Sequence, residues 1–166
     1  LDTFMEDYGF SEDEAKTAIE YYRERFRVKG LYENVVYHGI PEMLDALKNG
    51  GREIILATSK PEPFAKEILR HFGLEKYFLF VAGSTFDGTR SAKADVIGYA
   101  LNSVGIKDKS VCVMVGDRKH DIIGAQKNGL DSIGVLYGFG NREELESAGA
   151  TQIAETVENV TKLIMG

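Results

Sequence analysis

The sequence predicts an α/β fold in which a parallel sheet is covered by helices on both faces and follows a small helical segment. Short runs that are apolar throughout alternate with amphipathic segments of about ten residues, the pattern of βαβ crossovers in a parallel sheet. Glycines follow most of the amphipathic segments, at positions where they can end helices. Residues 1 to about 35 carry helical patterns and no strand pattern.

The first 35 or so residues are predicted to be wholly helical. Ser11 and Glu14 have the spacing of a capping box. The apolar residues that follow recur every three or four positions as far as Phe26. Gly30 is predicted to end this helix in a left-handed conformation. A shorter helix is predicted before it, carrying apolar residues between Leu1 and Tyr8.

From about residue 36 the predicted elements alternate, and we divide the chain into residues 1–37 and 38–166. The elements in order are a helix from Pro41 to Gly50, a strand from Glu53 to Thr58, a helix from Glu62 to Phe72, a strand from Tyr77 to Val81, a helix from Lys93 to Val104, a strand from Val111 to Val115, a helix from Asp121 to Asn128, a strand from Ser132 to Val135, a helix from Asn141, a short strand at Gln152–Ile153, and a helix from Thr156 to Ile164.

The composition is that of a soluble globular protein. Apolar residues make up 43% of the chain and charged residues 28%, with a formal net charge of −6, so a nucleic-acid or membrane partner that needs a broad basic face is not expected. No apolar run approaches the roughly 20 residues that span a bilayer. The single cysteine, Cys112, excludes an internal disulfide and favours a cytoplasmic location. The oligomeric state is left open between monomer and dimer.

Hydroxyl side chains follow the first predicted strand. Ligands of an open parallel sheet bind outside the carboxyl ends of its strands, and Thr58 and Ser59 lie at such an end. With nearby amides they could bind an oxyanion. The equally supported alternative is that they cap the next helix.

A pair of carboxylates follows the most apolar predicted strand. Gly116 allows a sharp turn there, and Asp117 and Asp121 lie about one helical turn apart, so both carboxylates can reach one spot. Oxygen ligands without a cysteine or histidine cluster suit Mg²⁺. A single aspartate at such a turn is more often a helix cap, but the pair favours a metal site.

A lysine opens another predicted helix. Lys93 lies in the first turn, where the helix dipole is positive and a cation is mildly unfavourable unless an anion is close. A solvated lysine is the alternative. Together the hydroxyl, the lysine and the carboxylate pair predict a site for phosphate and magnesium at one edge of the sheet.

In this order the residues resemble the motifs of the haloacid dehalogenase superfamily of phosphohydrolases, in its phosphoglycolate phosphatase-like branch. Ile54–Ser59 resembles the second motif and Lys93 matches the third. Gly116–Asp121 matches the fourth, Gly-Asp-x-x-x-Asp, which is the most specific. Asp131–Val135 and the glycines of the segment 137–140 also resemble this branch.

The resemblance implies a Rossmann-like three-layer αβα core in residues 38–166 that lacks its first strand, and part of a helical cap in residues 1–37. It implies a magnesium-dependent phosphoric monoester hydrolase that acts on a small-molecule phosphate ester through an aspartyl-phosphate intermediate. Thr58 and Ser59 would bind the phosphoryl oxygens and Lys93 would offset negative charge. Asp117 would bind Mg²⁺ directly, and Asp121 would act in the second shell or through water.

Five alternatives remain open at this point. Within the superfamily they are a 5′-nucleotidase, a pyrophosphatase and a sugar-phosphate mutase. Outside that enzyme class, the chain could be an inactive fragment or a receiver-type phosphoacceptor domain. In a receiver the acidic pair comes early and the lysine late, which is the reverse of the order found here.

The superfamily's first motif, Asp-x-Asp-Gly-Thr, supplies the nucleophile and the general acid, and it is not found. Thr85–Thr89 resembles it, but threonine occupies the nucleophile position. We predict a turn there, since Asp87-Gly88 is favourable turn chemistry. The nucleophile is expected upstream of Leu1. The loop from Tyr137 to Gly140 is predicted either to approach the site or to pack its aromatic rings.

Overall fold

The computed structural model describes residues 5, 9–25 and 29–166. The chain divides into two compact units, Leu1–Val35 and Val36–Gly166. The division lies two residues before the one expected from the sequence. In the second unit, the ring of Tyr37 packs edge-on against that of Tyr137, with centroids 5.7 Å apart. Apart from Met5, the short helix predicted near the start lies outside the described residues.

The first unit contains helix α1, Glu12–Arg25. Its predicted capping box is confirmed: the Ser11 amide donates to Glu14 Oε2 over 2.9 Å, and the Glu14 amide donates to Ser11 Oγ over 3.4 Å. Gly30, which was predicted to end the helix, lies with Lys29 in a π-helical turn.

The second unit alternates helices and strands in the predicted order, with ends that differ by up to three residues for the strands. The elements are α2 Ile40–Asn49, β1 Ile54–Pro61, α3 Glu62–His71, β2 Phe78–Ser84, α4 Lys93–Ser103, β3 Val113–Gly116, α5 Lys119–Lys127, β4 Asp131–Val135, α6 Arg142–Ser147, β5 Gln152–Ala154 and α7 Val157–Met165. Several of these helices are followed by a glycine with positive φ, as at Gly73, Gly105 and Gly129, which is the usual left-handed ending.

All of the strand pairs are parallel, so the predicted α/β fold is confirmed. Strand β1 pairs with β2, with Ala57 opposite Ala82. Strand β4 pairs with β3 on one side and β5 on the other.

Helices cover both faces of the strands. Alternate side chains of β1 pack on opposite layers: Leu56 packs against the cluster formed with α3, whereas Ile55 and Ala57 pack against buried residues of α4. On β3, Met114 packs against the α4 and α5 side, and Val115 packs against the cluster that includes α7. This alternation is what a parallel sheet buried on both faces requires.

Strands β1 and β3 belong to neighbouring parallel sheets. Within the described residues no ladder joins them, yet Ala57 and Met114 pack against one cluster of buried residues from α4 and α5. The β1 residues from Ile54 to Thr58 remain partly exposed, whereas β4 is buried from Ser132 to Val135. Among the described strands, β1 pairs only with β2 and β3 pairs only with β4, so β1 and β3 each have one edge that no described strand covers.

Among the described helices, none combines the length and the apolar character that a bilayer-spanning helix needs.

Candidate active site

The Lys93 side chain contacts both β1 and the first turn of α5, the helix that follows β3. Lys93 is the first residue of α4, and its ammonium group lies 2.8 Å from Asp121 Oδ1 and donates to the carbonyl of Ala57 over 3.1 Å. The Lys93 side chain is only 14% exposed and that of Asp121 only 7%. The alternative of a solvated lysine is therefore wrong.

Asp121 organises the turn after β3. Its Oδ2 accepts hydrogen bonds from the amides of Asp117 and Arg118, each over 3.1 Å, while Oδ1 pairs with Lys93. A side chain at position 116 would overlap the carboxylate of Asp121, so Gly116 is needed for this close approach. Both oxygens of Asp121 are therefore engaged with groups of the protein.

Asp117 lies just beyond the end of β3 and is held by the loop after β4. Its Oδ2 accepts from the amide of Phe139 over 2.8 Å, and its carbonyl accepts from the amide of Gly140 over 2.9 Å. A Cβ at Gly138 or Gly140 would overlap Asp117 atoms. In the described part of the chain Asp117 Oδ1 accepts no hydrogen bond. The carboxylate is thus fixed on one side and open on the other.

The loop from Tyr137 to Gly140 fulfils both of its predicted roles. Its backbone contacts Asp117, and the ring of Tyr137 packs against Tyr37. Burial raises the pKa of the Tyr137 hydroxyl, with smaller contributions from Asp117 and Tyr37. Phe139 itself is 87% exposed, on a loop whose backbone contacts the carboxylate.

Thr58 and Ser59 lie near the end of β1 and do not cap the next helix. The residue that precedes α3 is Pro61, and no side chain caps this helix, so the capping alternative is wrong. Thr58 Oγ1 accepts from the amide of Lys60 over 3.2 Å, which leaves its hydroxyl proton available to a ligand. Thr58 directly follows Ala57, whose carbonyl accepts a hydrogen bond from the Lys93 ammonium. Ser59 is exposed.

The structure therefore brings four of the predicted site residues to one edge of the second unit. Lys93 and Asp121 are in direct contact, Asp117 is held through Asp121, and Thr58 adjoins the Lys93 contact. His120 is exposed on α5.

The Thr85–Thr89 segment is a turn, as predicted. Gly88 has a φ of 76°, and Asp87 Oδ1 accepts from the amide and the hydroxyl of Thr89. The Thr85 hydroxyl contributes most to lowering the pKa of Asp87 to about 2, and the Thr89 groups add to it. The hydrogen bonds that hold this carboxylate come from its own turn.

The contacts made by Glu144 were not predicted from the sequence. Its Oε1 accepts from Arg118 Nε and from the amide of Lys119, both over 2.9 Å. The hydrogen bond from the Lys119 amide, followed by that from Arg118, lowers the pKa of Glu144. Glu144 thereby ties α6 to the start of α5, next to Asp117. Because 26 positions separate Arg118 from Glu144, no local pattern could have revealed the pair.

Whether the site fits a metal ion depends on which carboxylate oxygens accept no hydrogen bond from the protein. No group of three or more histidine, cysteine, aspartate or glutamate side chains among the described residues is arranged to hold a metal ion. Asp117 offers one open carboxylate oxygen, and Mg²⁺ commonly takes one or two protein carboxylates together with waters and substrate phosphate. Asp117 therefore fits as one ligand of a site that needs further donors.

The second unit carries the motifs that resemble those of the haloacid dehalogenase superfamily, and it carries them near the carboxyl ends of parallel strands. Residues 1–135 match the haloacid dehalogenase-like hydrolase family, and the chain belongs to it.

Several relatives share most of this chain. A 5′-nucleotidase from Pseudomonas aeruginosa is 50% identical over 147 residues, which are 89% of this chain and 66% of that protein. Tyrosine-protein kinase PtkA from Mycobacterium tuberculosis is 36% identical over 154 residues, 92% of this chain and 53% of that protein. A phosphoglycolate phosphatase from Vibrio parahaemolyticus is 27% identical over 154 residues, 93% of this chain and 67% of that protein. The chain thus spans less than two thirds of the length of the 5′-nucleotidase and of PtkA.

Among solved structures, a predicted phosphatase from Clostridium acetobutylicum is 50% identical, with a TM-score of 0.92. The match covers 98% of this chain and 75% of that one. The described fold is therefore shared with this solved structure.

Proposed function

We propose that the full-length protein is a magnesium-dependent phosphatase that hydrolyses a small-molecule phosphate monoester through an aspartyl-phosphate intermediate. The observation that carries the proposal is the position of the Lys93 ammonium group, which contacts both the Ala57 carbonyl and Asp121. This contact gathers a hydroxyl, an ammonium and an open carboxylate at one sheet edge, where parallel α/β sheets bind ligands. The family match argues against the receiver-type alternative.

Each residue has a proposed role that its surroundings support. The Thr58 hydroxyl donates to a phosphoryl oxygen, and Ser59, which follows it, provides a further donor. The Lys93 ammonium offsets the negative charge that gathers at the phosphoryl group during transfer, since preorganised charge is the main source of catalysis in such reactions. Asp121 holds Lys93 and the turn amides in place. A bound Mg²⁺ would further neutralise the phosphoryl charge, with Asp117 as one ligand.

The nucleophile is proposed to lie on a strand between β1 and β3. Both strands have an edge that no described strand covers, and both pack on the same helices. A strand inserted there would pair with both neighbours, and its carboxyl end would lie beside Lys93. This arrangement would also bury the partly exposed side chains of β1.

A nucleoside 5′-monophosphate is the substrate we place first. The relative named a 5′-nucleotidase is 50% identical, whereas the phosphoglycolate phosphatase is 27% identical. Phe139 donates its amide to Asp117 and leaves most of its ring exposed, which offers a face on which a base could stack. The proposal also includes that the substrate is a small soluble ester and that the protein acts in the cytoplasm.

A substrate panel with metal removal tests this function. The full-length protein should release inorganic phosphate from nucleoside 5′-monophosphates in the presence of Mg²⁺, lose that activity after treatment with a chelator, and regain it when Mg²⁺ is restored. Phosphoglycolate, pyrophosphate and glucose 1-phosphate complete the panel. Isomerisation of glucose 1-phosphate without phosphate release would indicate a mutase. Phosphate release that survives chelation would contradict the metal assignment.

A further inference from the structure

An arginine in the β2–α4 connection, residues 85–92, contacts several elements at once. Arg90 Nε donates to the carbonyl of Gly83 over 2.8 Å, and Nη2 lies 3.2 Å from Glu62 Oε2. Its guanidinium carbon lies 3.6 Å from the centroid of the Tyr99 ring, within the range of a cation–π contact. The Arg90 side chain is 21% exposed and that of Glu62 is 19% exposed, so the ion pair is largely shielded from water.

Glu62 is held firmly against β2. A Cβ at Gly83 would overlap the backbone of Glu62 and the carbonyl of Lys60, so the start of α3 lies directly against this glycine. Glu62 also pairs with Lys66 over 2.7 Å. Loss of Arg90 would therefore leave the Glu62 carboxylate with a cationic partner, and the variant can be expected to fold.

The connection that carries Arg90 is closed on itself. The Thr85 amide donates to the Arg90 carbonyl over 3.0 Å, and the Arg90 amide donates to Thr85 Oγ1 over 3.1 Å. The ring of Phe86 packs edge-on against that of Phe64 on α3, with centroids 5.2 Å apart. The turn containing Asp87 therefore fixes the backbone from which Arg90 reaches β2 and α3.

The ion pair joins the first residue of α3 to the β2–α4 connection, and each partner lies close in sequence to a proposed phosphate ligand. Glu62 follows Thr58 by four residues, and Arg90 precedes Lys93 by three. We propose that Arg90 is a positioning residue, which locks the junction of β1 and α3 to the β2–α4 connection and so sets the position of the Lys93 ammonium relative to Thr58. This inference rests on the proposed phosphatase function. A guanidinium suits the role because its planar fork can bond to two acceptors while it stacks on a ring, which an ammonium cannot reproduce.

The test combines turnover with the accessibility of Lys93 in the full-length protein. In Arg90→Met we expect kcat for a nucleoside 5′-monophosphate to fall about 10- to 100-fold, the effect of a small misplacement of a catalytic group, with KM changed less than about threefold. Arg90→Lys should recover part of the loss. The matched control is Arg70→Met, which removes an arginine paired with Glu75 near the amino end of β2 and should leave kcat unchanged.

Lysine acylation followed by mass spectrometry gives a readout that does not depend on activity. Labelling of Lys93 should rise several-fold in Arg90→Met, while labelling of the exposed Lys107 stays constant. Unchanged Lys93 labelling in the folded variant, or raised labelling with an unchanged kcat, would overturn the proposal. Absence of phosphate release from the wild-type protein would instead refute the proposed function, and the labelling would still decide whether Arg90 positions Lys93.

Discussion

Asp117→Asn should lower the turnover of a phosphate monoester by the full-length protein by about a thousandfold or more, because a metal ion contributes several kcal/mol of charge stabilisation in such sites. The amide oxygen of asparagine can still accept from the Phe139 amide, as the carboxylate does over 2.8 Å, so the loop should stay in place. What is lost is the negative charge on the oxygen that remains open to a cation.

The measurement is kcat at saturating Mg²⁺, together with thermal unfolding to show that the variant is folded. Asp45→Asn is the matched control, since Asp45 is an exposed carboxylate on α2 that accepts from Asn49, and it should turn over like the wild type. If Asp117→Asn keeps the wild-type rate in chelator-treated buffer, Asp117 is not a metal ligand.

Lys93→Met should abolish most of the turnover and also destabilise the protein by about 3 kcal/mol, because breaking a buried ion pair leaves an uncompensated charge. The Asp121 side chain is 7% exposed and lies 2.8 Å from the Lys93 ammonium. Two backbone amides still donate to Asp121 Oδ2, which places the expected loss at the lower end of the range for buried pairs.

The double variant Lys93→Met/Asp121→Asn separates stability from catalysis. It removes both charges, so urea unfolding should show a recovery of stability relative to Lys93→Met. Turnover should remain low because the ammonium is still missing. If Lys93→Met retains both activity and phosphate binding, Lys93 is not part of the active site.

The order of the elements was predictable from local patterns, but their ends were less so. Apolar runs and helix-ending glycines are local signals, and they located the strands and helices of the second unit. The extension of β1 to Pro61 was not predictable, because Thr58, Ser59 and Lys60 are polar. They belong to the strand because the ladder resumes between Pro61 and Ser84 after an irregularity.

The site was predictable in its residue types and less so in its contacts. The spacing of Asp117 and Asp121 indicated that the two would act together. That Asp121 binds Lys93 and two turn amides, and that Phe139 holds Asp117, depends on how α4, α5 and the loop after β4 pack. The same holds for Arg90 and Glu62, which are 28 positions apart. Such pairs are set by tertiary packing, and no local pattern encodes them.

The most direct test is a crystal structure of the full-length protein grown with Mg²⁺ and inorganic phosphate. The account predicts a phosphate ion within hydrogen-bond distance of Thr58 Oγ1 and the Lys93 ammonium, and a metal ion on the open oxygen of Asp117. Phosphate and metal bound together elsewhere on the protein, with Thr58, Lys93 and Asp117 contacting neither, would contradict it.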